Sequence, residues 1–159
     1  MNTLNRFLLA CCAVAAVLLL APAVRNFFFT PSVSEQGFAL RKIIMQSPSG
    51  DRLRETVELA ESESQWSQGL MHRSKVTNGM LFLFDGPQKL SFWMKNTLVP
   101  LDILFFDEEG RFVSSDTMYP CKEDPCPMHF SAAPAKYALE MPQGYLATSG
   151  VGSGWVLKP

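Results

Sequence analysis

Short apolar segments separated by turn residues dominate the chain from residue 38 onward. Some alternate apolar and polar residues, as half-buried strands do, whereas Met80–Phe84 and Leu101–Phe106 are apolar on both faces and too short for helices. Ser62 and Gln65 have the spacing of a capping box and predict one short helix through Trp66. The predicted strands are Leu40–Met45, Arg54–Ala60, Met80–Phe84, Ser91–Met94, Leu101–Phe106, Arg111–Asp116, Ala135–Met141 and Trp155–Leu157. We therefore expect an all-β, compact barrel-like or sandwich domain with one short helix.

The first 23 residues have a different character. Arg6 precedes an unbroken apolar run, and Ala21-Pro22-Ala23 matches the small-residue pattern at which signal peptidase cleaves. We interpret residues 1–23 as a signal peptide, with an uncleaved signal anchor as the alternative, and residues 24–37 as a flexible tether. Residues 38–159 then form a single domain that is exported to the periplasm or cell envelope.

Charge and composition exclude several classes of partner. The 159 residues include 14 basic and 15 acidic side chains, a net charge of −1, and no basic stripe. Nucleic acid is therefore not expected as a partner, and a membrane only through the N-terminal segment. No cofactor is expected. The partner that remains is an unknown small molecule or an envelope protein.

Cys121 and Cys126 are the cysteines that remain after removal of the signal peptide. In an oxidising compartment, a pair of cysteines is most simply a disulfide, which would close a six-residue loop. Two alternatives stay open. Reduced Cys121 and Cys126 could bind copper or zinc together with His129, or they could remain free thiols.

Asp102 is the most informative polar position. It lies in Leu101–Phe106, so its carboxyl should be buried among apolar neighbours and must find hydrogen-bond donors. The candidate donors are Arg73, Lys95, the Asn96 side chain and nearby backbone N–H groups. Three readings follow: Asp102 pins two loops together, it lines a small-ligand pocket with a cationic partner, or it is catalytic.

An enzymatic function has little support in the sequence. Glu140 could form an acid–base pair with Asp102, but no phosphate-binding loop, nucleophile elbow or zinc-binding helix motif is present. The aromatic block around Phe92 and Trp93 is typical of core packing, whereas a stacking platform would require Trp93 to be exposed beside polar groups.

Several blocks of sequence together resemble a known family. They are Gly69–Arg73, Gly79–Phe82, Phe92–Thr97, Pro100–Phe105 and Tyr137–Glu140 with Gly144. They are similar to the domain of unknown function 192 family of small, often exported bacterial and archaeal proteins, over about residues 56–156. The resemblance implies a compact β barrel-like domain and no established reaction.

The sequence therefore favours a non-enzymatic envelope module that binds a small ligand or a protein. Its candidate ligand-binding residues are Arg73, Lys95, Asn96 and Asp102, on the expectation that these charged and amide groups converge. The alternatives are a hydrolase-type enzyme that uses Asp102 with Glu140, and metal handling through the cysteine loop. No residue is assigned a catalytic role.

Overall fold

The computed structural model describes residues 32–159, so the predicted signal peptide and most of the predicted tether lie outside the described residues. The final tether residues, 32–37, form a hydrogen-bonded turn in which Ser34 O accepts from Gly37 N. No helix in the described range is both long and apolar enough to cross a membrane. The elements are β1 (Ala39–Gln46), β2 (Arg52–Ala60), α1 (Glu63–Gln68), β3 (Met80–Gln88), β4 (Ser91–Trp93), β5 (Leu101–Phe106), β6 (Phe112–Met118), β7 (Met128–Phe130), β8 (Ala135–Pro142), α2 (Tyr145–Ser149) and β9 (Val156–Lys158).

A seven-stranded sheet organises the domain, in the order β6-β5-β8-β3-β2-β1-β9, and β4 pairs with β7 in a separate ribbon. Strands β2 and β3 are parallel, which requires the crossover that contains α1, and the other paired strands are antiparallel. The described strands do not close into a barrel; an isolated bridge joins Arg111 to Val156 of β9. The predicted mainly-β class is confirmed, in its sandwich-like form.

Both faces of the sheet are buried. Every residue of β5 is buried, as its apolar sequence predicts. Met80, Ile103 and Ala138 belong to one apolar cluster, together with Leu70 and Met94 from the segments that cover that face. The opposite face contributes to a second cluster, which includes Leu81, Leu104 and Leu139 and is flanked by Tyr145 and Leu146 of α2. We call the two sides the first and the second face below.

The predicted helix is confirmed as α1, and Ser62 is its N-cap residue, but the capping box forms differently. The Ser62 hydroxyl donates to the Gln65 side chain (3.1 Å), and that same oxygen accepts from the Glu61 N–H (2.9 Å). Two elements were not predicted. Strand β7 lies in a proline-rich segment that reads as a loop, and α2 has five residues, too few for a helical period to show.

Candidate functional site

Asp102 is buried, as predicted, and its carboxylate is fully engaged. Oδ1 accepts from the Thr117 hydroxyl (2.7 Å), and Oδ2 accepts from the backbone N–H groups of Gly144 and Leu146 (both 2.9 Å). Thr117 lies directly opposite Asp102 on the neighbouring strand, and the two N–H groups are at the start of α2. The carboxylate thus holds α2 against the second face of the sheet. Backbone donors were among the predicted partners, whereas Arg73, Lys95 and Asn96 as donors were wrong.

Arg73 pairs with a residue that the sequence did not single out. Its guanidinium makes two parallel hydrogen bonds to the Glu58 carboxylate (2.8 and 2.7 Å), and both side chains are nearly excluded from solvent. The guanidinium also lies 5.6 Å from the centre of the Phe38 ring. This buried pair is at the wall of an open cleft of about 720 Å³ that the turn at residues 33–36 and the loop at residues 71–75 also line.

Lys95 and Asn96 lie in the loop after β4. The Lys95 ammonium pairs with the exposed Asp124 carboxylate (2.9 Å) and lies 5.7 Å from the Trp93 ring centre. The Asn96 backbone carbonyl accepts from His72 N (2.7 Å), and both residues have positive φ, 58° and 63°. The predicted convergence of Arg73, Lys95 and Asn96 on Asp102 is therefore wrong, because each cation has its own carboxylate. Contact of any of the four with a ligand stays a prediction.

The proposed acid–base pair of Asp102 and Glu140 is also wrong. Glu140 is directly opposite Ile103, the neighbour of Asp102 in β5, while Asp102 is opposite Met141. Because successive strand residues point to opposite faces, the two carboxyl groups are on different sides of the sheet. No cleft can contain both.

Glu140 lies on the first face, in a row of register partners that runs from Glu58 through Met80 to Ile103. The residue is 5% exposed, and no side-chain hydrogen bond is among the causes that shift the pKa of its carboxyl. Desolvation raises the pKa of Glu140 to about 8, against the opposing field of the Arg73 guanidinium. At neutral pH this carboxyl is mostly protonated.

The Glu140 carboxyl opens into a small cavity, which we call the Glu140 cavity. Its volume is about 40 Å³. Four blocks of the family resemblance meet there: the loop after α1, the start of β3, the β4 strand with its following loop, and β8. The lining consists of Trp66–Met71, Phe82, Phe92, Trp93, Thr97 and Glu140.

Local backbone features shape the walls of the Glu140 cavity. Gly69 ends α1 with φ of 46°, which turns the chain towards the sheet. The hydrogen bond from His72 N to Asn96 O then ties this loop to the loop after β4. Gly79 precedes β3 where a side chain would collide with Met141 and with the Glu140 carbonyl, so the close approach of β3 to β8 requires glycine.

In the aromatic block, Phe92 packs towards the interior and Trp93 is exposed at the surface. Phe92 packs against Phe82 with ring centres 5.0 Å apart, as core packing predicts. Trp93 is 48% exposed beside Lys95 and at the same time lines the Glu140 cavity. The condition for a stacking platform, an exposed Trp93 beside a polar group, is thus met.

The predicted disulfide between Cys121 and Cys126 is present, with 5.5 Å between the Cα atoms. Asp124 is the third potential ligand beside the two sulfurs, whereas His129 pairs with Asp116 (2.6 Å). The predicted metal-ligand set of the two cysteines with His129 is therefore not assembled. The disulfide loop contacts the rim of the site through Lys95–Asp124 and through Cys121 N, which donates to Met94 O (3.4 Å).

The residues that sequence reasoning missed are Glu58 and the lining around Glu140. Glu58 gave a weak signal, because it is a charged residue directly before the apolar end of β2, Leu59-Ala60. Glu140 gave a stronger one, an acid between leucine and methionine in a strand that is apolar on both faces. The signal at Glu58 could not identify Arg73, which lies 15 positions away, and the signal at Glu140 could not identify the cavity lining, which comes from distant segments.

Comparisons with known proteins agree with this architecture. The family model of domain of unknown function 192, described as "Uncharacterized ACR", matches residues 44–158. A search of curated proteins finds no match.

Two crystal structures are similar to the chain. One is a proposed transcription regulator from Sinorhizobium meliloti 1021, with 35% identity and a TM-score of 0.70, covering 76% of this chain and 94% of its own. The other is a protein of unknown function from Novosphingobium aromaticivorans DSM 12444, with 29% identity and a TM-score of 0.74, covering 82% and 93%. The family model matches most of the chain, and the similarity to these structures agrees with it. The chain therefore belongs to the domain of unknown function 192 family.

Proposed function

We propose that this protein is a non-catalytic binding module of the cell envelope, and that its ligand places a small polar group in the Glu140 cavity. The observation that carries the proposal is a carboxyl group in a residue that is 5% exposed, with no side-chain hydrogen bond to the part of the chain that the structure describes. Because no side-chain oxygen in that part is both fully enclosed and unpaired, the carboxyl remains accessible from the cavity. Leaving a buried polar group unpaired costs roughly 1–3 kcal/mol, which a fold tolerates where a ligand supplies the missing partner.

The composition of the lining favours binding over catalysis. Glu140 is the one titratable side chain among the residues that line the Glu140 cavity. General acid–base catalysis commonly uses two groups of different pKa around the reacting bond, and Asp102 is on the other face. A carboxyl group surrounded by aromatic, apolar and neutral polar side chains is suited to orient a ligand.

Two features support the envelope location. The N-terminal residues have the order of a signal peptide, a positive charge, an apolar run and a small-residue end. The disulfide between Cys121 and Cys126 is a bond that persists in oxidising compartments. Intact-mass analysis of protein recovered from the envelope fraction should show a chain that starts at Val24 and carries the disulfide. Recovery from the cytoplasm with free thiols would contradict this location.

The binding role is tested with small probes on the wild-type protein and two variants. The probes are methylammonium, guanidinium, acetamide and methanol, and binding is followed by the amide NMR signals of Leu70 and Thr97. We expect at least one probe to shift these signals in wild type and in the surface control Glu108→Gln, and to lose at least tenfold in affinity in Glu140→Gln. If no probe shifts them, or if Glu140→Gln binds as wild type does, the proposed role is wrong.

A further inference from the structure

We propose that the group that enters the Glu140 cavity is a cationic N–H donor, a primary ammonium or a guanidinium, carried at the end of an apolar stem. This inference rests on the proposed function and names its ligand class. It follows from the charge of the lining, the size of the cavity and the surface outside it.

The charges around Glu140 favour a cation over an anion. No lysine or arginine is among the residues that line the Glu140 cavity, so an anion would find no opposite charge there. The nearby charge that acts on Glu140 is that of Arg73, and this guanidinium is already paired with Glu58. A cation would meet the Glu140 carboxylate together with the aromatic rings of Phe92 and Trp93, whose faces are negative.

The size of the cavity limits the group that enters. A cavity must have a volume of roughly 10–15 Å³ to hold one water molecule, and the Glu140 cavity has about 40 Å³. A guanidinium, or an ammonium with its first methylene groups, therefore fits, while pockets for whole ligands are about 300–1,000 Å³. The remainder of the ligand must lie outside the cavity.

An apolar surface continues from the mouth of the cavity. Trp93 is paired with Met128 across the β4–β7 ribbon, and Phe130 is paired with Ser91 on the same side. The three apolar side chains are between 44% and 57% exposed, whereas Phe92 and His129 on the other side of the ribbon are partly buried. Because Trp93 belongs both to the cavity lining and to this surface, a stem that leaves the cavity along the indole continues onto it. An alkyl stem would cover it.

Binding of a cation should be coupled to loss of a proton. The cation pairs with the ionised carboxylate, whereas the free site is mostly protonated at neutral pH because the pKa of Glu140 is about 8. The apparent affinity should therefore rise with pH until the carboxyl is ionised and then level off. A neutral ligand that accepts a hydrogen bond from the protonated carboxyl would show the opposite dependence.

The test is calorimetric titration of the protein, prepared as the full chain, with n-butylammonium and n-butylguanidinium, and with pentanamide as a neutral ligand of similar length. For the two cations, we expect the affinity to rise roughly 90-fold from about pH 6 to about pH 9, the ratio of ionised carboxyl at the two values. Glu140→Gln should bind weakly and without this pH dependence, and Glu108→Gln should match wild type. Trp93→Ala should weaken n-butylammonium about tenfold and methylammonium clearly less, because the longer ligand also loses the indole surface that its stem covers.

The outcomes separate this inference from the proposed function. If pentanamide binds and its affinity falls above about pH 8 while the cations do not bind, the ligand class is wrong and the binding role stands. If neither cations nor pentanamide bind, and the small probes also fail to shift the Leu70 and Thr97 signals, both are wrong. Cation binding that is unchanged in Glu140→Gln would contradict the site itself.

Discussion

Asp102 and Glu140 occupy neighbouring rows of the same sheet, and the fold surrounds their carboxyl groups in opposite ways. On the second face, Asp102 accepts hydrogen bonds from Thr117, Gly144 and Leu146. On the first face, Glu140 has no side-chain hydrogen bond to any residue from 32 to 159, and burial raises its pKa to about 8. The two residues are similarly excluded from solvent, at 2% and 5% exposure.

The difference shows that burial alone does not identify a functional carboxyl group. Asp102 is compensated by its donors, and its role is to attach α2 to the sheet. Within the described residues, Glu140 has no hydrogen-bond donor and only the field of Arg73 to offset its desolvation, so ionisation of its carboxyl lowers the stability of the free domain. The Glu140 carboxyl, which the fold leaves without a hydrogen-bond donor among the described residues, is therefore the better candidate for a binding site, although Asp102 is the more conspicuous polar residue in the sequence.

The largest expected effect comes from removing the compensated carboxylate. Asp102→Ala leaves two backbone N–H groups and one hydroxyl without their acceptor, and should lower the free energy of unfolding by roughly 3–5 kcal/mol. Urea denaturation measures this change. The exposed Asp85 is the matched control, and Asp85→Ala should change stability by less than about 0.5 kcal/mol. A loss below about 1 kcal/mol in Asp102→Ala would show that its hydrogen bonds do not hold α2.

The unpaired carboxyl should instead be visible in the pH dependence of stability. The pKa of Glu140 is raised from 4.5 to about 8 in the folded state, so between these values the folded protein binds a proton that the unfolded chain releases. Stability should then fall as pH rises, by at most about 1.4 kcal/mol per pH unit, and level off above about pH 8. From about pH 5.5 to 7.5, wild type should lose roughly 2–3 kcal/mol relative to Glu140→Gln. Parallel curves for the two proteins would contradict the unpaired state of Glu140.

The disulfide loop should affect the Glu140 side of the sheet more than the Asp102 side. Replacement of Cys121 and Cys126 by serine opens a six-residue loop and should cost about 2 kcal/mol by the chain-entropy estimate. Because the loop contacts Met94 and Lys95, NMR shifts should be larger at Thr97 than at Leu146. Shifts that are equal at both positions would remove the proposed connection between the disulfide and the rim of the cavity.

The smallest expected effect comes from removing one of the three hydrogen-bond donors of the Asp102 carboxylate, the Thr117 hydroxyl. Thr117→Val removes one of its donors and keeps both backbone N–H groups, so the loss should be about 1 kcal/mol. Urea denaturation of Thr117→Val, of Asp102→Ala and of the double variant measures the loss of stability in each. If the two losses add fully, the hydroxyl and the carboxylate do not interact.

Much of the fold could be predicted from the sequence, because local patterns carry the information. The apolar run Leu101–Phe106 is β5 without any shift of its ends, and burial on both faces follows from the absence of alternation. The disulfide could be predicted because the two cysteines are close in sequence and the N-terminal pattern indicates export. Strand β7 could not, since its pairing with β4 is a long-range contact within a proline-rich segment.

The candidate site was predicted only in part, for the same reason. That Asp102 is buried and needs donors follows from its apolar neighbours, but the donors at the start of α2 depend on an unpredicted helix. The ion pair of Arg73 with Glu58 joins residues 15 positions apart, and nothing in the local sequence chooses Glu58 over Asp102. Glu140 was placed correctly in a strand, yet its lack of a partner is a property of the assembled sheet and loops.

The central claim is that the Glu140 carboxyl is largely desolvated and has no side-chain hydrogen bond within the described residues, and its protonation can be observed directly. Protein labelled with ¹³C at the glutamate side-chain carboxyl carbon, with Glu140→Gln to assign the signal, allows the carboxyl to be titrated by NMR. We expect the Glu140 signal to titrate near pH 8. Titration near the ordinary value of 4.5 would contradict the claim and, with it, the site that is built on this residue.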